Sequence, residues 1–233
     1  MTRNTDVSKI SRRGALATIA GAVVAGCTQH TTYSPTGFRA PIAPEFLSMY
    51  AAVPDERFPL PAIDLTQIDP VYFRQQVAHT SSHPTGTIIV DTANKFLYLT
   101  QENGMAMRYG IGVGRDGFDW SGRARIPFKR KWPTWTPPAA MIEREPELEK
   151  YRNGMEPGLE NPLGARALYL FDNGVDTLYR LHGTNEPWSI GQAMSSGCIR
   201  LLNQDAIDLY NRTPNGTRVI VDHNMGPPPA PVA

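Results

Sequence analysis

Cys198 lies in the run LHGTNEPWSIGQAMSSGCIRL, residues 181–201, sixteen positions after His182 and beside glycines and small hydroxyl residues. A free thiol titrates near pH ~8.5, so a nucleophilic cysteine needs a base or a positive neighbour. His182 is the base this segment offers. Gly183, Gly191 and the Ser195-Ser196-Gly197 triplet let the backbone bring thiol and ring together. The amides of Gly197 and Cys198 can face a developing oxyanion, because glycine leaves that approach open. Taken singly, a free cysteine is ordinarily a small buried hydrophobe, and a histidine closing a strand is ordinarily a satisfied polar group. Together, with Arg200 two residues beyond the thiol, they point to nucleophilic catalysis.

The other cysteine, Cys27, belongs to a different part of the chain. Arg3, Lys9, Arg12 and Arg13 precede an apolar stretch, residues 15–26, which is signal-peptide length and too short to span a membrane. Ser11-Arg12-Arg13 resembles a twin-arginine export signal, and Sec export stays open beside it. Val24-Ala25-Gly26-Cys27 resembles the lipobox of bacterial lipoproteins, which implies an acylated Cys27, a membrane anchor and a periplasmic site of action. The alternative is a small residue within the apolar segment, with cleavage nearby. Thr28 follows Cys27, so an aspartate retention signal is absent at that position. With Cys27 acylated, Cys198 has no intramolecular disulfide partner, and a lone thiol in an oxidising compartment needs a chemical reason.

Removing residues 1–26 shifts the formal charge from +1 to −2, too little excess to hold a nucleic acid by counterion release. Arg123, Arg125, Lys129, Arg130 and Lys131 form a local basic cluster, read as a solvated strand face or as a subsite for an acidic substrate. His79 and His83 have helical ligand spacing, but Pro84 follows directly and no cysteine or carboxylate stands near. Neither a metal nor a cofactor is expected.

These residues need a framework. From Thr28 to Pro84 the chain is rich in proline and reads as a tether or loose lead-in, which either extends away from the following domain or packs on it, with short helices over 43–49 and 70–79. Residues 87–91 and 95–100, β-branched and apolar around Thr92-Ala93-Asn94, predict a hairpin. Met105, Met107, Tyr109, Ile111 and Val113 alternate onto one face of a third strand. Residues 114–122 read as a loop and 126–132 as extended chain; residues 139–151 read as helix broken at Pro146. Strands over 165–170 and 177–181 deliver His182 at a strand end. Asn203 reads as the cap of a helix over 204–212, with Asp205 in its first turn. Pro214-Asn215-Gly216 turns into a closing strand over 217–222, and a proline-rich tail begins at 224. The pattern is mainly β with short helices.

Residues 181–185 (LHGTN), 190–191, 195–201 (SSGCIRL) and 203–205 (NQD) resemble the signature of the L,D-transpeptidase (YkuD-type) catalytic domain, and the likeness runs from about residue 85 to 223. The resemblance implies a β-sandwich-like fold, Cys198 as nucleophile, His182 as general base and the Gly183 carbonyl orienting the imidazole. It implies an oxyanion hole from Gly197 and Cys198, and substrate contacts from Arg200, Ser195 and Ser196. Ser196 stands where many members carry histidine or another basic or polar residue. The implied reaction is acyl transfer from a peptidoglycan tetrapeptide stem through a thioester to an amine, either of a neighbouring stem or of an envelope protein. Hydrolysis by the same fold, or non-catalytic binding of the wall, are the alternatives.

Overall fold

A computed structural model describes residues 41–114, 120–195 and 197–229, which form one compact unit. Its strands are β1 (Gln75–Ala78), β2 (Ile88–Asp91), β3 (Phe96–Thr100), β4 (Met105–Gly110), β5 (Val113–Gly114), β6 (Gly122–Arg125), β7 (Lys129–Lys131), β8 (Arg166–Asp172), β9 (Val175–His182), β10 (Ala193–Ser195), β11 (Ile199–Arg200) and β12 (Arg218–Asp222). The helices are α1 (Pro44–Met49), α2 (Ala139–Arg144) and α3 (Asn203–Arg212). Ten strands form one mixed sheet in the order β1-β4-β3-β2-β12-β6-β8-β9-β11, with β7 beside β8; β5 and β10 pair separately. The expected mainly β class is present, with the sandwich made by one sheet folding back on itself.

Alternation dictates that fold. Ile88 and Val90, Leu97 and Leu99, Ala124, Leu168 and Leu170, Leu181, Ile199, Val219 and Val221 all enter one buried cluster. Strands from both ends of the sheet meet there, so the sheet curls around its own apolar face, and Ala206 and Leu209 of α3 plug the cluster. Tyr109, Ile111 and Val113 join it, as the alternation from Met105 predicts. Burial of these side chains removes on the order of 2 kcal/mol each from the unfolded state's advantage.

Of the two readings of the lead-in, its described part takes the packed one. Tyr50, Leu65, Ile68 and Phe73 are buried against Ile190 and Leu202, and Leu60 against Trp132 and Ala165. Polar contacts fasten the same segment. Tyr50 donates to Asp205 at 3.1 Å, Gln204 donates to the carbonyls of Ala51 and Pro61, and Glu56 accepts from Trp132 Nε1 at 2.8 Å and pairs with Arg166. Proline content misleads here because it reports backbone stiffness, while the aromatic and aliphatic residues between the prolines supply the packing. The helix expected over 70–79 is a single turn at Pro70–Tyr72 followed by β1, because residues 75–78 pair with β4; tertiary pairing overrides local propensity. Helix α1 forms as expected, and Pro146 ends the helical run after Arg144, with a 3-10 turn from Pro146 to Tyr151. Strand β6 overlaps the expected loop only at Gly122, and residues 115–119 of that loop lie outside the described residues.

Two residues of α3 act differently from the sequence reading. Asn203 is the helix's first residue rather than its cap, and its side chain turns away from the helix N-terminus. Asp205 is fully buried; burial outweighs Arg74, 3.6 Å away, and the Tyr50 hydroxyl, and raises its carboxyl to about 7. Its first-turn position serves the lead-in rather than a solvated helix end. Because the lead-in is part of the core, Phe73→Ala is expected to cost about 3–5 kcal/mol in denaturant unfolding, whereas a free tether would give no change in the midpoint.

Candidate active site

Strand β9 pairs in parallel with β11, in the register Leu181 with Ile199 and His182 with Arg200. Leu181 and Ile199 point into the core. Neighbouring residues on each strand point the other way, so Arg180, His182, Cys198 and Arg200 share the opposite face of the sheet. Cys198 immediately precedes β11, and extending the register by one residue makes it a diagonal neighbour of His182, about 8 Å away at Cα from the strand spacing and rise. The sheet itself brings together the two residues that the sequence separates by sixteen positions.

The imidazole has a defined tautomer. His182 Nδ1 lies 2.5 Å from the Gly183 carbonyl oxygen, and a carbonyl can only accept, so Nδ1 carries the proton and Nε2 keeps a lone pair. His182 is buried. Burial pushes its pKa down to about 4, and Arg200 and Arg180 push the same way against the Gly183 hydrogen bond. The ring is therefore neutral at physiological pH. Burial also raises the half-buried Cys198 thiol, against the Arg180 amide and the charges of Arg180 and Arg200. Its Sγ is 4.0 Å from the Leu178 carbonyl oxygen. A neutral thiol and a neutral imidazole on one face of the sheet suit general-base activation rather than a preformed ion pair.

The loop that carries Gly183 is clamped. Asn203 Oδ1 accepts from the Ala165 amide at 2.9 Å, and its Nδ2 donates to the Thr184 carbonyl at 2.8 Å. The fit leaves no space: a Cβ at Gly183 would stand 2.1 Å from Asn203 Oδ1, and one at Gly164 2.2 Å from the same atom. Gly183 N donates to Arg166 O, and Leu201 N to His182 O, which fixes the peptide planes on either side of the histidine. Sequence reading missed this clamp, since an asparagine before a helical run looks like a cap.

The other expected site residues are placed as follows. Arg200 is on the same face as the thiol and its guanidinium is engaged with Glu186 at 2.7 Å. Gly197 adopts φ +123°, a conformation that favours glycine, with the Tyr179 ring against it and Trp120 stacked on that ring. Ser195 ends β10 opposite Gly114 of β5. Ser196 and Cys27 lie outside the described residues. Arg180 is the residue that sequence reasoning overlooked. It forms a bidentate pair with Asp176 at 2.6 and 2.8 Å and lies over the Tyr169 ring. The signal was available, because Arg180 is two residues before His182 on one strand and so shares its face. His79 stacks on Tyr98, and no group of three or more potential metal ligands occurs among the described residues.

A thiol, an imidazole with an open Nε2 and two fixed guanidiniums on one sheet face can together carry out acyl transfer. Comparison with known proteins gives the family. Residues 85–221 match the YkuD model, the L,D-transpeptidase catalytic domain; the chain belongs to this family. Two Escherichia coli K12 proteins named as probable L,D-transpeptidases are similar. YbiS is 33% identical over 156 residues, covering 62% of this chain and 47% of its own, and ErfK/SrfK is 34% identical over 142 residues, covering 58% and 44%. The chain thus spans about half the length of these relatives. A solved Brucella melitensis structure, described as a probable carnitine operon oxidoreductase, is 46% identical, covering 66% of this chain and 96% of its own, with a TM-score of 0.47.

Two outcomes follow from this geometry. Acylation of Cys198 by an acyl donor is expected to stay level from about pH 5 to 8 and to fall only as His182 protonates, near its folded pKa of about 4; a rate rising tenfold per pH unit through neutrality would indicate a reactive thiolate instead. Asn203→Ala strands the Ala165 amide and the Thr184 carbonyl, at about 1–3 kcal/mol each, and is expected to slow acylation as well as lower the melting temperature. Calorimetry with intact-protein mass spectrometry reads both.

Proposed function

We propose that the protein is a peptidoglycan L,D-transpeptidase in which Cys198 is the nucleophile and His182 its general base. The observation that carries this reading is the His182 Nδ1 hydrogen bond to Gly183 O, which leaves Nε2 as the acceptor on the face that Cys198 shares. Sγ attacks the stem carbonyl before the terminal D-residue, and its proton passes to Nε2. The imidazolium then gives that proton to the departing amine as the C–N bond breaks, leaving a thioester and free D-alanine. An acceptor amine attacks the thioester, the new amide forms, and the thiol regains a proton. Backbone amides at Gly197 and Cys198 stabilise each oxyanion, and Arg200, together with Ser195 and Ser196, receives a substrate carboxylate.

His182 cannot serve as base when protonated, so its depressed pKa keeps it competent throughout the neutral range. The amine acceptor is a neighbouring stem or a lysine of an envelope protein. The export of the chain to the periplasm and its acylation at Cys27 complete the proposal, supported by the basic-apolar-Cys27 pattern of residues 1–27. Labelled palmitate is expected to enter the parent chain and to be lost in Cys27→Ala.

With a purified tetrapeptide stem, the parent protein is expected to show a thioester adduct and cross-linked dimers. Cys198→Ala removes both, and His182→Gln slows adduct formation by about 10²- to 10⁴-fold. Adduct formation that persists in Cys198→Ala would overturn the assignment, and tripeptide monomers without dimers would make the enzyme a hydrolase.

A further inference from the structure

The basic cluster noted in the sequence is divided by the fold. Lys129 turns inward: its Nζ donates to the carbonyls of Tyr210 and Thr213, at 2.6 and 2.5 Å, at the C-terminal end of α3. Arg123 and Arg125 instead line a groove of about 910 Å³ together with Arg218, His83, Phe171 and Asp172. This groove is on the catalytic face. His182 is opposite Ala167 on β8, and Phe171 follows four residues along that strand; the β8–β9 register shifts between Tyr169 and Phe171, but the two extra residues are on β9, and Leu168 and Leu170 both enter the core, so β8 keeps its alternation. Arg125 is opposite Phe171, and Arg218 is opposite Arg125. Directly paired residues share a face, and so do residues an even number apart on one strand. The rise of β8 places Phe171 about 13 Å from Ala167, beyond the thiol's immediate surroundings.

Arg125 and Arg218 are directly opposed on antiparallel strands, where like charges destabilise a sheet. Arg123 stands two residues from Arg125. Arg125 gives one nitrogen to the Gly216 carbonyl at 3.0 Å, and no ion pair engages Arg123, Arg125 or Arg218 among the described residues. Three guanidiniums gathered against their mutual repulsion suit planar carboxylates, which each can hold through two hydrogen bonds. Asp172 in the same groove disfavours a uniformly anionic polymer and favours a ligand that also carries an ammonium group. Phe171 and Ile220 give the groove an apolar component.

We propose that this groove binds a second stem of the polymer whose first stem acylates Cys198, with the stem's carboxylates on Arg123, Arg125 and Arg218 and its free amine near Asp172. The proposal rests on the acyl-transfer reading for the identity of the polymer. It makes the enzyme a reader of polymeric wall, holding the strand at two points of one sheet face.

Sedimentation of the full chain with purified peptidoglycan sacculi tests it. The triple variant Arg123→Gln, Arg125→Gln, Arg218→Gln is expected to bind sacculi at least tenfold more weakly and to lose the salt sensitivity of the parent. Its melting temperature should stay level or rise, since like charges are removed, and a single soluble stem, too short to span both places, should acylate it at the parent rate. Unchanged sacculus binding overturns the proposal. So does an equal loss of acylation by the soluble stem, which would make the arginines part of the catalytic pocket, and so does a loss confined to phosphatidylglycerol vesicles, which would make the groove a lipid site. Cys198→Ala is expected to bind sacculi as the parent does. Failure of the parent to acylate at all would defeat the acyl-transfer reading while leaving sacculus binding to be judged separately.

Discussion

The two hydrogen bonds of the Asn203 amide hold the site together. One end of that side chain secures Ala165, the residue before β8, and the other secures Thr184, two residues after His182. Between them the Gly183 carbonyl is fixed where it sets the tautomer of the imidazole. The bond network is buried, so each member is worth more than it would be in water, and each is costly to leave unmet. Glycine at 164 and 183 is the steric condition for it, since either Cβ would collide with the amide oxygen. The chemistry of His182 thus depends on a residue that never needs to touch a substrate.

Around that clamp the electrostatics push in one direction. Burial keeps the imidazole neutral, and two guanidiniums on the same face disfavour its protonation further. Those cations also favour negative charge at sulfur, yet burial outweighs them and the thiol stays protonated. Each guanidinium is held by its own carboxylate, Asp176 for Arg180 and Glu186 for Arg200. The difference between the pairs lies in where each carboxylate sits in the chain. Asp176 is four residues from Arg180 on the same strand, with an aromatic ring beneath the guanidinium, whereas Glu186 comes from the loop after His182, so the Arg200 pair depends on the position of a loop and the Arg180 pair does not.

Much of this was legible in the sequence. Alternation placed the strands of the core, and the LHGTN segment pointed to the Gly183 carbonyl that the His182 ring meets. What stayed hidden has physical causes. Asn203 looked like a cap because capping and tertiary clamping use the same short polar side chain. Arg180 carries no motif of its own, and its place beside the thiol follows from the pairing of β9 with β11, which is a non-local fact. Residues 75–78 looked helical because strand pairing with β4 is a non-local fact. The lead-in was obscured by its prolines, whose stiffness is compatible equally with an extended tether and with a segment laid against a core.

The position of the lead-in separates two boundaries that coincide in many domains. The region in common with the family begins at residue 85, while the body that buries Ile190, Leu202 and Asp205 begins near residue 41. A fragment cut where the likeness starts would keep every group of the chemistry and expose the apolar backing of its two key loops. The heritable signature and the unit of folding are therefore of different lengths, and residues 41–84 cannot be exchanged as an independent module.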